Sequence, residues 1–182
     1  MTFLTLDQLE SSLPLIREAP RDRGVLRMIV RRPDTEQREV LEQGKLDLAH
    51  GLVGDNWRTR GSKKTPDGSA HPDMQITIMG ARTIELLAAT RDRWALAGDQ
   101  LFIDLDLSQE NLPPGTRLAV GEAVVQISEL PHTGCRKFEA RFGPDALKFV
   151  NSPMGRQLRL RGLNAKIIQS GVIRTGDAVQ KT

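Results

Sequence analysis

Cys135 is the only cysteine in the chain, and the residues around it are of the types that make a thiol useful. It sits in Leu130-Pro131-His132-Thr133-Gly134-Cys135-Arg136-Lys137-Phe138, after an apolar strand-like run and at the entrance to a helix-like one. A helix N-terminus and adjacent cations such as Arg136 and Lys137 favour the thiolate. Thiolate is the form that acts as nucleophile, sulfur carrier or soft-metal ligand. His132 precedes it by three positions, a spacing that in a turn can bring both side chains to one site for proton transfer or metal ligation. The alternative is a buried cysteine serving as a small hydrophobe.

A second group lies in Gly51-Leu52-Val53-Gly54-Asp55-Asn56-Trp57-Arg58-Thr59-Arg60, where two glycines, the Asp55 carboxylate, Arg58 and Arg60 could cradle an anion. Charge-assisted hydrogen bonds from arginine suit that task. His71 and Asp73 add possible ligands further along. One cysteine and three histidines fall short of a comfortable zinc set. The glycine patterns of nucleotide-binding loops, the serine elbow of hydrolases and the zinc-protease helix motif are all missing.

The elements that must position these residues read as β-rich. Thr5 to Gln8 forms a capping box ahead of Leu9, Leu13 and Ile16, with Pro14 expected to kink or end that helix. Strands are expected at Val25–Val30, between Arg38 and Leu48, at Met74–Met79, at Leu101–Leu107 and at Glu122–Glu129. A hairpin is expected over Ala165–Ile168 and Val172–Arg174, with Asp177-Ala178-Val179 closing the fold. Alternation at Leu101, Ile103, Leu105 and Leu107 predicts a half-buried strand. Gly51 to Ala70 shows neither period and predicts one long loop. Short helices are expected at Ala81–Thr90, Phe138–Phe142 and Pro144–Val150. The expected fold is therefore β-rich α+β, a closed or strongly bent β-barrel with a few short helices. A helical extension over residues 1–24 is expected to precede a barrel domain over 25–182.

Composition narrows the function classes. From Pro131 onward ten Lys or Arg face three acids, a surplus of seven, whereas the whole chain carries only +3. That skew suggests an anionic ligand or partner. Aromatics make up 4% of residues and tyrosine is absent, which argues against base stacking on nucleic acid. A single cysteine and an opening without leader character point to the cytoplasm, and no apolar stretch reaches the roughly 20 residues of a membrane helix.

Taken in order, Gly51 to Asp55, Gly98-Asp99-Gln100-Leu101, Pro131 to Phe138 and Gly171 to Val179 resemble the MOSC domain family, named from the C-terminal domain of molybdenum cofactor sulfurases. The resemblance spans Val25 to Val179. It implies a barrel like that of pyruvate kinase, an essential cysteine at Cys135, and a link to molybdenum cofactor (molybdopterin) or to sulfur carried as a persulfide. Pyridoxal phosphate binding is a further expectation of the resemblance. Activity stays open between a cofactor-dependent oxidoreductase, which in some members reduces N-hydroxylated compounds, and a sulfur transferase. Asp55, Arg58, Arg60, His71, Asp73, His132, Arg136 and Lys137 are then the expected cofactor contacts, with Cys135 as thiolate or metal ligand. The sequence departs from the family at Trp57 and Pro72, where a histidine and a glycine pair are frequent. Two rivals remain: a non-catalytic carrier acting with a redox or cofactor-delivery partner, and a metal-dependent hydrolase built on His71, Asp73 and His132.

Overall fold

The computed structural model describes residues 3–182. Its strands are β1 (Arg23–Arg31), β2 (Glu39–Leu41), β3 (Gln43–Asp47), β4 (Gly51–Leu52), β5 (Ile76–Gly80), β6 (Leu101–Asp104), β7 (Arg117–Val120), β8 (Ala123–Ile127), β9 (Leu163–Gln169), β10 (Gly171–Arg174) and β11 (Ala178–Lys181). The α-helices are α1 (Leu6–Ser11), α2 (Leu13–Arg17), α3 (Trp57–Arg60), α4 (Ala81–Ala88), α5 (Arg136–Phe142), α6 (Pro144–Asn151) and α7 (Pro153–Gln157). Seven strands close into a mixed barrel in the order β1-β11-β7-β8-β9-β5-β6 and back to β1. Within this ring β5 and β6 run parallel, and the other neighbouring pairs are antiparallel. β2 extends β1, while β10, β3 and β4 form a small separate sheet.

Alternation along the strands sorts side chains into two cores. Leu26, Ile29, Ile76, Ile78, Leu101 and Ile103 join an aliphatic cluster that contains no aromatic ring. Their neighbours Met28, Val30, Met79 and Phe102 point the other way, into a cluster with Trp94, Phe138, Phe142 and Phe149. Helices therefore cover this side of the barrel, and the expectation of a half-buried strand at Leu101–Leu107 is corrected: Phe102 is fully buried beneath them. Both faces of β6 lie in protein because α4 and the 3-10 segment Arg91–Ala97 cover its outer side, the Trp94 ring 5.9 Å from that of Phe102.

Other expectations change for local reasons. The Thr5–Gln8 capping box is present, and Pro14 falls in the first turn of α2, where its missing N–H costs nothing, so it opens a second helix. Gly51 to Ala70 is not one loop: β4 and α3 occupy its first half, with Trp57 buried. The strands over Ala165–Arg174 are not a hairpin, because β9 pairs with β5 and β8 whereas β10 leaves the barrel to pair with β3. Leu9 is buried in the helical cluster, and the Leu6 N–H donates to Asp145 in α6 at 3.2 Å, which ties the N-terminal helices to the helical flank. Among the described residues, no helix is long and apolar enough to cross a membrane.

Candidate functional site: a basic cleft beside Cys135

Cys135 is extended (φ −129°, ψ 176°), precedes α5, and is exposed, so it is not the inert core cysteine of the alternative reading. What holds it is the residue before. The Gly134 N–H donates to Asn151 Oδ1 at 2.9 Å and its carbonyl accepts from Asn151 Nδ2 at 3.1 Å. A Cβ at position 134 would lie 2.7 Å from the tip of the Leu147 side chain, so a larger residue there would make Leu147 move aside. Behind it, Phe138 and Phe142 are buried with ring centroids 4.8 Å apart and pin α5 to the barrel.

Cys135 borders a cleft of about 430 Å³. Arg32 at the end of β1, Arg38 from the segment that follows, Arg60 of α3 and Lys64 line one side. Lys137 and Arg141 of α5, with Arg161, line the other. Asp34 and Glu36 are the only acids in the lining, so the cleft is strongly cationic. Glu36 receives Lys137 at 2.9 Å and also pairs with Arg141, so a strand-connecting loop is tied to α5 across the mouth. These cations, with the Lys137 hydrogen bond foremost, hold the Glu36 carboxyl below its ordinary range. Burial, and then Arg141, push the Arg38 guanidinium down from its ordinary value.

Two of the arginines belong to the interior. Arg32 donates through Nε and Nη2 to the two carboxylate oxygens of Asp55, both at 2.8 Å, and through Nη1 to the Gly98 carbonyl at 2.7 Å. Arg161 donates to Asp99 at 2.6 Å and to the Ala97 carbonyl at 2.9 Å, and its guanidinium stands 4.8 Å over the Phe138 ring. Gly98 has φ 88°, a left-handed turn that favours glycine and lets successive carbonyls serve the two guanidiniums. Gln100 braces the first of these pairs: its Nε2 donates to Asp55 at 3.3 Å, and its Oε1 accepts from Thr77. His132 lies beside Asp99, its Nδ1 3.7 Å from Asp99 Oδ1. Burial, then Arg161 and Arg32, hold the imidazole well below its ordinary pKa, whereas burial raises Asp99 against the opposing pull of Arg161.

Of the residues expected from sequence, Cys135, Arg60, His132 and Lys137 meet at this cleft. Asp55 sits beneath it as the anchor of Arg32. Arg58 and Arg136 are exposed outside its lining. His71 caps a short 3-10 turn by accepting from the Asp73 N–H at 3.2 Å, and Asp73 stands 3.7 Å from Lys166. The hydrolase reading on His71, Asp73 and His132 is therefore corrected: among the described residues, no three His, Cys, Asp or Glu side chains gather as a metal site. Arg32, Arg38, Lys64, Arg141 and Arg161 escaped the sequence reading as site residues. The signal for Arg161 was its place in the basic C-terminal third, but nothing local separated it from its charged neighbours.

A closed seven-strand mixed barrel carrying a cysteine at the edge of a cationic cleft defines a class, and the family model for the MOSC domain matches residues 65–180. The chain belongs to the MOSC domain family. Among solved structures it is similar to the YuaD protein of Bacillus subtilis (TM-score 0.63, 14% identity, 87% of this chain and 95% of that one). It is also similar to YiiM of Escherichia coli (TM-score 0.56, 17% identity, 87% of this chain and 69% of that one) and to YiiM of Geobacillus stearothermophilus (TM-score 0.53, 15% identity, 87% and 73%). These likenesses concern the fold. No curated protein matches the sequence.

Proposed function

We propose that the cleft binds an anionic, phosphate-bearing cofactor of the molybdopterin type, with the Cys135 thiolate as the one protein ligand to its metal. The observation that carries this reading is the convergence of seven cationic side chains on the cleft that Cys135 borders. Two features of the chain fit such a group. The buried Arg161 Nε has no hydrogen-bond partner within the protein. The site offers one cysteine sulfur and, among the described residues, no cluster of further ligands, which suits a metal that arrives already held by its own organic ligand.

In this reading the cofactor, when bound, supplies redox chemistry at molybdenum. The protein holds it by charge. Arg32 and Arg161 are oriented before any ligand arrives because each is fixed by a buried carboxylate and a backbone carbonyl, so little side-chain freedom is lost on binding. Lys137 and Arg141 are presented by α5, and Gly134 with Asn151 sets where the sulfur stands. A second reading, persulfide carriage on Cys135, is favoured by the exposure of the thiol, which leaves it open to a partner's sulfur donor or acceptor.

Metal and mass analysis of freshly purified protein separates the two. Molybdenum with an extractable pterin supports the first, with metal and pterin kept in step but the metal's spectroscopic signature changed in Cys135→Ser. One additional sulfur atom on Cys135, removed by reductant, supports the second. Pyridoxal phosphate, a phosphate ester without a metal, is the control ligand, read by its absorbance. Protein free of molybdenum, pterin and added sulfur after expression in a cofactor-producing host sinks both readings. Once free of cofactor and treated with reductant, native protein should take up a single carbamidomethyl group from iodoacetamide without denaturant, and a thiol that reacts only after unfolding contradicts the exposed position.

A further inference from the structure

Behind the segment that leads to Cys135 lies a second cavity of about 430 Å³, as large as the first. The two linings have Pro131, His132, Thr133 and Arg161 in common and nothing else, so this stretch of chain and one buried guanidinium form the wall between them. On the far side Arg156 and Arg159 join Arg161, and Glu129 is the only acid. Of the three arginines, Arg161 alone is paired with a carboxylate, that of Asp99.

The chain turns sharply to place these groups. Just after α7, Arg159 has φ 50°, a left-handed conformation that residues other than glycine seldom adopt and that persists where the surroundings impose it. Leu160 enters the helical cluster, while Arg159 and Arg161 on either side of it line the cavity. Arg159 donates through Nη1 to the Leu107 and Leu112 carbonyls at 3.3 and 2.5 Å, and Arg156 donates through Nε to the Asn151 carbonyl at 3.0 Å. Backbone oxygens thus orient both guanidiniums without neutralising them. Burial pushes the Arg159 guanidinium down from its ordinary value, a cost that a neighbouring anion would offset. Ser128 is buried and accepts from the Leu130 N–H at 3.1 Å, which leaves its hydroxyl hydrogen to donate. Pro114, Leu130, Val150 and Leu163 supply an apolar part of the wall.

We propose that this second cavity binds a small organic oxyanion, a carboxylate or phosphate ester on an apolar body, independently of the cleft that Cys135 borders. The three guanidiniums outnumber Glu129 and Asp99 together, so the cavity favours a negative ligand and can hold its oxygens by charge-assisted hydrogen bonds. An inorganic ion would leave most of the space and the apolar wall unused. A volume of about 430 Å³ falls instead among small-molecule pockets, which span roughly 300–1,000 Å³. The inference concerns a different cavity from the proposed cofactor site and does not depend on it.

Amide NMR on the intact, isotopically labelled chain tests this with benzoate, phenyl phosphate and inorganic sulfate as probes. At least one organic probe should give saturable shifts at residues 130–133 and 155–163, and the tighter of the two identifies the headgroup. Sulfate has no apolar body and should bind there at least about tenfold more weakly, the ratio expected from losing the burial of even a small hydrocarbon group. Arg156 is exposed, and Arg156→Gln should weaken the organic probe about tenfold by removing one charge-assisted hydrogen bond. Glu129 is also exposed, and Glu129→Gln should tighten binding by up to about fivefold, the range of a surface charge. Lys137→Gln changes only the other cavity and should leave the affinity as it is. Thermal unfolding of each variant checks the fold, and if Arg156→Gln is destabilised the gain in Glu129→Gln carries the test. No saturable shift at these amides with either organic probe overturns the proposal, as does sulfate binding equally well. So does an equal loss in Arg156→Gln and Lys137→Gln, or a Glu129→Gln protein that binds no more tightly than the parent. Molybdenum and pterin content reports on the Cys135 cleft alone, so either reading can fail without the other.

Discussion

The two buried acid–arginine pairs beneath the cleft are built from the same residue types and finished differently. Asp55 accepts from the Arg32 backbone N–H, from Arg32 Nε and Nη2, from the Trp57 N–H and from Gln100, so both oxygens are saturated. Asp99 accepts from Arg161 and leaves Oδ1 open. A saturated buried pair is a structural joint, here fastening β1 to the turn before α3. A pair with an unmet atom is fastened on one side only. Equal burial therefore does not mean equal duty, and the hydrogen-bond count separates the two.

The largest effect expected from this contrast is on stability. Asp55→Ala leaves the Arg32 charge buried with its main partner gone and should cost about 3–5 kcal/mol by urea unfolding. Asp99→Ala also strands a buried guanidinium but breaks far fewer hydrogen bonds, and should cost about 1–3 kcal/mol. If the second substitution cost as much as the first, the two pairs would be equivalent joints and the comparison would break. At the surface, Glu36 joins Lys137 and Arg141 without burial, and such exposed pairs contribute little. Glu36→Gln should accordingly move stability by less than about 1 kcal/mol. It should also strengthen sulfate binding, since two cleft cations lose their tether and their neutralising charge. Weaker binding would mean that Glu36 holds those cations in place more than it competes for them.

Much of the barrel could be read from the chain because short apolar runs such as Val25–Val30 and Glu122–Glu129, bounded by turn residues, mark strands, and Ile127 is buried as an interior strand requires. Misreadings came where pairing is settled at long range. Val172–Arg174 looks like the return arm of Ala165–Ile168, yet its partner β3 lies more than a hundred residues upstream. Phe102 resembles any alternating position until the helices that cover it are in place. The same holds at the site. Cys135 announced itself through its turn and its neighbours, and His132 and Lys137 came with it as part of one segment. Arg32 and Arg161 could not be found that way, since what distinguishes them from other arginines is the buried carboxylate behind each, supplied by Asp55 and Asp99 from elsewhere in the sequence.

Closure of the barrel joins its first strand to its last, with Arg23 opposite Gln180 and Val25 opposite Ala178. During synthesis β1 leaves the ribosome long before β11, and β7 waits beside it with an unpaired edge. Until residues 178–181 emerge, both edges are exposed templates for pairing with other chains. Contacts this distant in sequence also make folding slow, because the cost of closing so long a loop must be met before the strands reward it. The nascent chain is thus at its most aggregation-prone just before its last barrel strand emerges, and a chain cut short of Ala178 would hold most of its core with no way to shut it.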